Sequence, residues 1–218
     1  ASLQTTFTQN VLDEVNASAV VVDTSEELAG LSDNQIASAA AAAADRGFEG
    51  KYVIPLLNTS GQPALASLDN RELREKIARV SLRRGMRGGE FDNREVITRI
   101  ARLRAERSAM LGYPNHAAFS LEEQTAQTVE AVNERLASLA PPAVANARRE
   151  AADLEAIAEA SGVDLTVSSW DWSYYTEKVR ADRYAFDAAQ LRPYFEIDAV
   201  IERGVFFAAN RLYGLDFK

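Results

Sequence analysis

Two facts bound the chemistry open to this chain: it has one histidine, His116, and no cysteine. A peptidase zinc motif of the H-E-x-x-H type sets two imidazoles one helical turn apart. It also needs a third protein ligand and a glutamate that takes a proton from the metal-bound water. His116 is followed by Ala117, Ala118 and Phe119, so neither the glutamate nor the second imidazole is there. Carboxylates alone make a poor zinc set, because borderline-soft zinc prefers nitrogen and sulfur donors. His116 is therefore expected to be an ordinary loop or helix-start residue after Pro114. Thiolate chemistry and disulfides are excluded outright. No G-x-S-x-G elbow supports a serine triad, and no glycine-rich phosphate loop is present. Glu26–Glu27 and Glu122–Glu123 are adjacent in sequence, so on a helix they diverge and cannot share a proton. No catalytic, cofactor-binding or metal-ligating residue is assigned within these 218 residues.

Charge offers a second candidate. The segment Arg71–Arg107 holds 12 of the 24 Lys+Arg residues against six acids, a local net charge of +6, while the remainder carries −14. Such a patch suits an anionic partner. A pI near 4.9 and the lack of interleaved aromatics argue against nucleic acid. The plainer expectation is two solvated helix faces with i,i+4 pairs such as Glu72–Lys76 and Glu75–Arg79. Docking against acidic surface elsewhere in the same protein is the remaining alternative.

The third candidate is aromatic. Trp170, Trp172, Tyr174 and Tyr175 offer stacking faces, yet at this density they more often anchor a core, with their N–H and O–H groups bonded to nearby acceptors. Asp171, Lys178 and Arg180 beside them suggest a buried or half-buried ion-pair set.

The elements that must hold these residues read mainly as helix. Leu3, Phe7, Val11, Leu12 and Val15 recur at helical spacing. Ser32 and Gln35 form a capping-box pattern before an alanine-rich helix that should close at Gly47. At Tyr52–Leu57 the pattern turns β-like. With turn residues Asn58–Pro63 and a second strand Ala64–Leu68, it predicts a β-hairpin over about 52–68, Pro55 marking an edge or bulged strand. Asp69-x-x-Glu72 and Asp92-x-x-Glu95 should start helices with Leu73, Ile77 and Val80, and Val96, Ile100 and Leu103, on their inner faces. Further helices are expected over Leu121–Ala140 and Pro141–Ser161, prolines being tolerated in a first turn. The last, Val200–Tyr213, is apolar around nearly its whole circumference and so should be buried on all sides. No apolar run approaches the roughly 20 residues of a membrane span. No signal peptide is visible, although the chain begins with Ala rather than Met, which leaves a removed leader open. The absence of cysteine suits a reducing compartment, and a cytoplasmic setting is expected.

The ordered set Trp170-Asp171-Trp172-Ser173-Tyr174-Tyr175, Lys178, Arg180, Leu191-Arg192-Pro193-Tyr194-Phe195, Gly204-Val205-Phe206 and Ala209-Asn210-Arg211-Leu212-Tyr213-Gly214-Leu215 resembles the thimet/neurolysin-like zinc oligopeptidases. Within them it is most similar to the bacterial peptidyl-dipeptidase (dipeptidyl carboxypeptidase) branch. Upstream, Arg107–Tyr113 with Ala117-Ala118-Phe119, and Tyr52–Arg74, resemble the same enzymes. The resemblance implies a mainly α fold, an irregular helical bundle with one small β-hairpin, supplying the non-catalytic part of a metallopeptidase. It implies a parent hydrolase that uses zinc-activated water to cleave short peptides, either removing C-terminal dipeptides or acting as an oligopeptidase, inside a channel to which this stretch gives one wall. Its H-E-x-x-H motif would lie downstream of Lys218, so the stretch alone would be inactive, hold no zinc, and self-associate through apolar surface left without a partner. A stand-alone helical interaction module with no enzymatic parent is the rival reading.

Overall fold

The computed structural model describes residues 2–59, 61–184 and 188–217 and divides into two compact units, 1–177 and 178–218. The fold is mainly α with a single two-stranded antiparallel sheet among the described residues, as the residue pattern suggested.

In the first unit, α1 (Leu3–Ala17) runs into β1 (Ala19–Val22), and α2 (Asp33–Ala44) precedes β2 (Tyr52–Pro55). The Ser32–Gln35 capping box is formed, and α2 closes through Asp45, two residues before the left-handed Gly47. The strands pair from Ala19 opposite Pro55 to Val22 opposite Tyr52. The expected hairpin over 52–68 is corrected here: β2 pairs with Ala19–Val22, and Pro63–Ala66 is a short 3-10 turn. The Gln62 side chain shows why. Its Oε1 accepts from the Leu57 N–H at 2.9 Å, and its Nε2 donates to the Leu57 and Thr59 carbonyls at 3.0 and 3.1 Å. One side-chain amide thus occupies the backbone groups that a returning strand would use. Pro55 ends the ladder at an edge, where its missing N–H costs nothing.

Helix α3 (Arg71–Leu82) starts one residue later than expected. Asn70, not Asp69, accepts from the Leu73 N–H at 3.1 Å. Its inner face of Leu73, Ile77 and Ala78 joins Val15, Val20, Val22, Leu28, Ile54 and Leu68 in the core. Helix α4 (Arg94–Met110) begins after Asn93, which is buried and tied to α1: its Nδ2 donates to the Phe7 carbonyl and its Oδ1 accepts from Asn10, both at 3.0 Å. The turn at Gly112 leads to α5 (His116–Leu121).

The two helices expected on either side of Pro141 are one: α6 spans Val129–Ala160, with both prolines inside it. Thr128 caps its start, which the neighbouring Gln127, at a φ of 60°, makes a sharp corner. Helix α7 (Trp172–Tyr184) carries the division between the units.

In the second unit a 3-10 segment, Ala188–Phe195, precedes α8 (Ile197–Val200), a wider π turn (Ile201–Phe206) and α9 (Phe207–Tyr213), closed by left-handed Gly214. The helical expectation for 200–213 is met, but the expected all-round burial is corrected. None of the described residues of 178–217 is buried, and Leu212 and Tyr213 are 74% and 76% exposed. Phe206 stacks on Phe217 with centroids 4.3 Å apart. The described residues of the unit form no second layer over its apolar surface.

Candidate functional site

The densest polar chemistry in the first unit is built from α3 and the start of α7. Asp171 is fully buried and stands immediately before α7, where its carbonyl accepts from the Tyr175 N–H at 3.0 Å. Arg71 grips its carboxylate in a fork, Nε to Oδ1 at 3.0 Å and Nη2 to Oδ2 at 2.8 Å. Arg74 adds Nη2 to Oδ1 at 2.9 Å, and the Ser168 N–H donates to Oδ2 at 3.2 Å. The other Arg74 terminal nitrogen donates to the carbonyls of Leu68 and Asp69 at 2.7 and 3.1 Å.

Aromatic rings enclose these charges. The Arg74 guanidinium lies 4.1 Å from the centre of the Tyr174 ring, and Arg79 and Arg71 lie 5.3 and 6.0 Å from that of Trp170. The Tyr174 hydroxyl donates to Asp69 Oδ1 at 2.8 Å. Tyr175, nearly buried, meets Tyr174 edge-on at 5.1 Å. Asp69 is free for this role because Asn70 caps α3.

The electrostatics follow from that geometry. Burial alone would raise the Asp171 carboxyl, but the hydrogen bonds from Arg71 and Arg74 and the Ser168 N–H outweigh it and hold it below the usual carboxylate range. The same pairing raises Arg71. Burial, then the hydrogen bond to Asp69, pushes the Tyr174 phenol up to about 12. A carboxylate so fully claimed has no lone pair left for a substrate or a metal. The cluster is a clamp that joins residues about 100 positions apart in sequence.

The other candidates disperse. His116 is the first residue of α5, half-buried, 6.3 Å from the Phe119 ring and within 3.3 Å of the Ser120 hydroxyl. Among the described residues no group of three His, Asp or Glu side chains could hold a metal ion. The zinc that the sequence resemblance implies has no fitting donor set among the described residues. A cleft between the 113–115 turn and the start of α6 is lined by Tyr113, Asn115, Glu122, Gln127, Thr128 and Glu130. There Tyr113 donates to Glu122, and that bond raises the phenol.

The basic segment is only partly the solvated face expected. Glu75 and Arg79 do pair, at 2.6 Å, whereas Lys76 reaches the Val21 carbonyl at 3.2 Å. Arg84 donates to the Leu57 and Thr59 carbonyls, and Arg94 pairs with Asp92. Arg74 is the correction: it is 1% exposed and belongs to the interior. Its position next to Leu73 and one turn before Ile77 and Ala78 carried that signal, since helix spacing sets it on the apolar side of α3.

The sequence model of peptidase family M3 matches residues 64–218. Dipeptidyl carboxypeptidase of Salmonella typhimurium is 38% identical over 217 residues, which cover 100% of this chain and 32% of that protein. The dipeptidyl carboxypeptidase of Escherichia coli is 37% identical with the same coverage. Oligopeptidase A of Escherichia coli is 35% identical, over 97% of this chain and 32% of its own length. The chain spans about a third of the length of the curated relatives it matches.

Proposed function

The chain belongs to peptidase family M3, and from that premise we propose that it is a non-catalytic part of a zinc metallopeptidase acting on short peptides. The parent removes C-terminal dipeptides or acts as an oligopeptidase, and the helices described here give one wall to the channel that receives the peptide. The observation that carries this reading is identity of 37–38% along the whole chain to two dipeptidyl carboxypeptidases of about three times its length. That this chain covers 32% of those relatives supports placing the zinc centre in sequence outside it.

In this reading the residues here position rather than react. The Asp171 clamp fixes the start of α7 against α3, and the isolated chain neither holds zinc nor cleaves peptides. The uncovered apolar surface of the second unit supports self-association of the isolated chain. Each large side chain left in water forgoes roughly 1.5–3 kcal/mol, so covering a few of them is favourable. Sedimentation at rising concentration tests this: a shift to dimers or larger species is expected, and a strict monomer overturns it. The nucleotide sequence of the gene beyond the Lys218 codon tests the parent reading. An in-frame H-E-x-x-H with a later glutamate is expected, and a stop codon soon after Lys218 overturns it in favour of a stand-alone module.

A further inference from the structure

Residues 133–150 form five helical turns of α6 in which every side chain is exposed, and the only two consecutive prolines of the chain stand near their middle. A proline inside a helix removes one N–H donor, and its ring crowds the carbonyl four residues back. Pro141 and Pro142 therefore leave the carbonyls of Ala137 and Ser138 without their helical donors. The residue before a proline is also driven away from helical backbone angles, which here applies to Ala140 and to Pro141 itself. The cost is about 3 kcal/mol or more for each interior proline. Ser138 adds to it, turning its hydroxyl back to the Arg135 carbonyl at 2.7 Å.

Among the described residues every side chain of 133–150 is exposed, so little burial offsets that cost. An isolated helix shorter than about 12–15 residues is marginal in water, and each side of the diproline is shorter than that within the exposed stretch. The two ends differ. Beyond residue 150 the helix is anchored, with Leu154 and Ala158 buried and Glu155 accepting from the Val167 N–H at 3.3 Å. Before Pro141 it carries Leu136 and Leu139, both exposed, while its start, with Val129 and Val132 half-buried, meets the short helix α5, so the rod moves together with α5.

We propose that Ala140–Pro142 is a hinge dividing α6 into an anchored rod, 143–160, and a swinging rod, 129–140. The swinging rod presents Val132, Leu136 and Leu139 as one apolar stripe at helical spacing, and its angle adjusts without disturbing the anchored half. This device depends only on α6 and stands whether or not the parent is a peptidase.

The absence of cysteine makes the test direct. Glu134→Cys with Ala152→Cys puts two spin labels on exposed positions 18 residues apart, which in a straight helix is about 27 Å. Electron–electron double resonance on the full chain should give a broad or two-peaked distance distribution reaching well below that value. In the P141A/P142A background it should narrow to one peak near it. Hydrogen exchange should agree: the amides of residues 143–145, which bond across the hinge, gain at least about tenfold protection in the double variant. A single narrow distance in the native chain, straight or bent, overturns the hinge, as does equal protection of residues 143–145 in the two proteins.

Discussion

At the scale of single residues, the largest consequences attach to Asp171 and Gly30. Removing the Asp171 carboxylate leaves Arg74 buried beside Arg71 without its counter-charge, and a broken buried pair costs about 3–5 kcal/mol. Asp171→Ala should therefore lower the unfolding free energy by that amount, seen as a lower urea midpoint with an unchanged slope. The pH dependence follows from the direction of the shift. The folded-state carboxyl lies below the unfolded value of about 3.9, so its stabilisation is complete above that pH and is lost as the pH falls through the folded value. Acid titration of stability should be flatter below pH 4 in Asp171→Ala than in the native chain. Tyr174 offers an independent probe: one phenol should titrate near 12 by ultraviolet absorbance, and Tyr174→Phe should abolish that step. Gly30 sits at a φ of 92°, and a Cβ there would meet the Ser67 carbonyl oxygen at 2.0 Å. That contact is backbone, held by the Asp69 N–H donating to the Ala29 carbonyl at 2.8 Å. Gly30→Ala should cost more than about 2 kcal/mol by thermal unfolding.

At the scale of elements, legibility followed the range of the interactions. The Ser32–Gln35 box and the apolar face of α3 are local, and each is readable from residue types a few positions apart. The partner of β2 is not, because Ala19–Val22 is separated from it by a whole helix and its four residues are too few to show alternation. The Gln62 side chain that replaces a second strand looks, in sequence, like any loop glutamine. The prolines at 141 and 142 misled for a different reason. They are sound first-turn residues, yet here they stand inside one continuous helix whose surrounding turns are exposed. The Asp171 clamp is half legible: the carboxylate stands out beside its aromatic neighbours, but its partners lie about 100 residues upstream, beyond any spacing rule. Packing supplies a check on α3. Ile77 is fully buried in the core, and Ile77→Ala should cost about 2–5 kcal/mol by chemical denaturation.

At the scale of the whole molecule, the described residues hold structural chemistry in the first unit and bare apolar surface in the second. The ordered motif from Trp170 to Leu215 made the family legible, because each piece is weak and the sequence of pieces is not. What the sequence could not say was how its motif residues are used: Asp171 closes a clamp, and Tyr174 packs its ring on a guanidinium. On the proposed reading this chain supports peptide hydrolysis without performing it. That reading is tested by incubating a blocked peptide with the purified chain and, separately, with the complete gene product. Release of C-terminal dipeptides or shorter fragments is followed by mass spectrometry, and zinc is measured after dialysis. No cleavage and no stoichiometric zinc are expected for the chain alone, with both present in the complete product. Turnover by the chain alone with one tightly held zinc, or a complete product that binds no zinc and cleaves nothing, would contradict it.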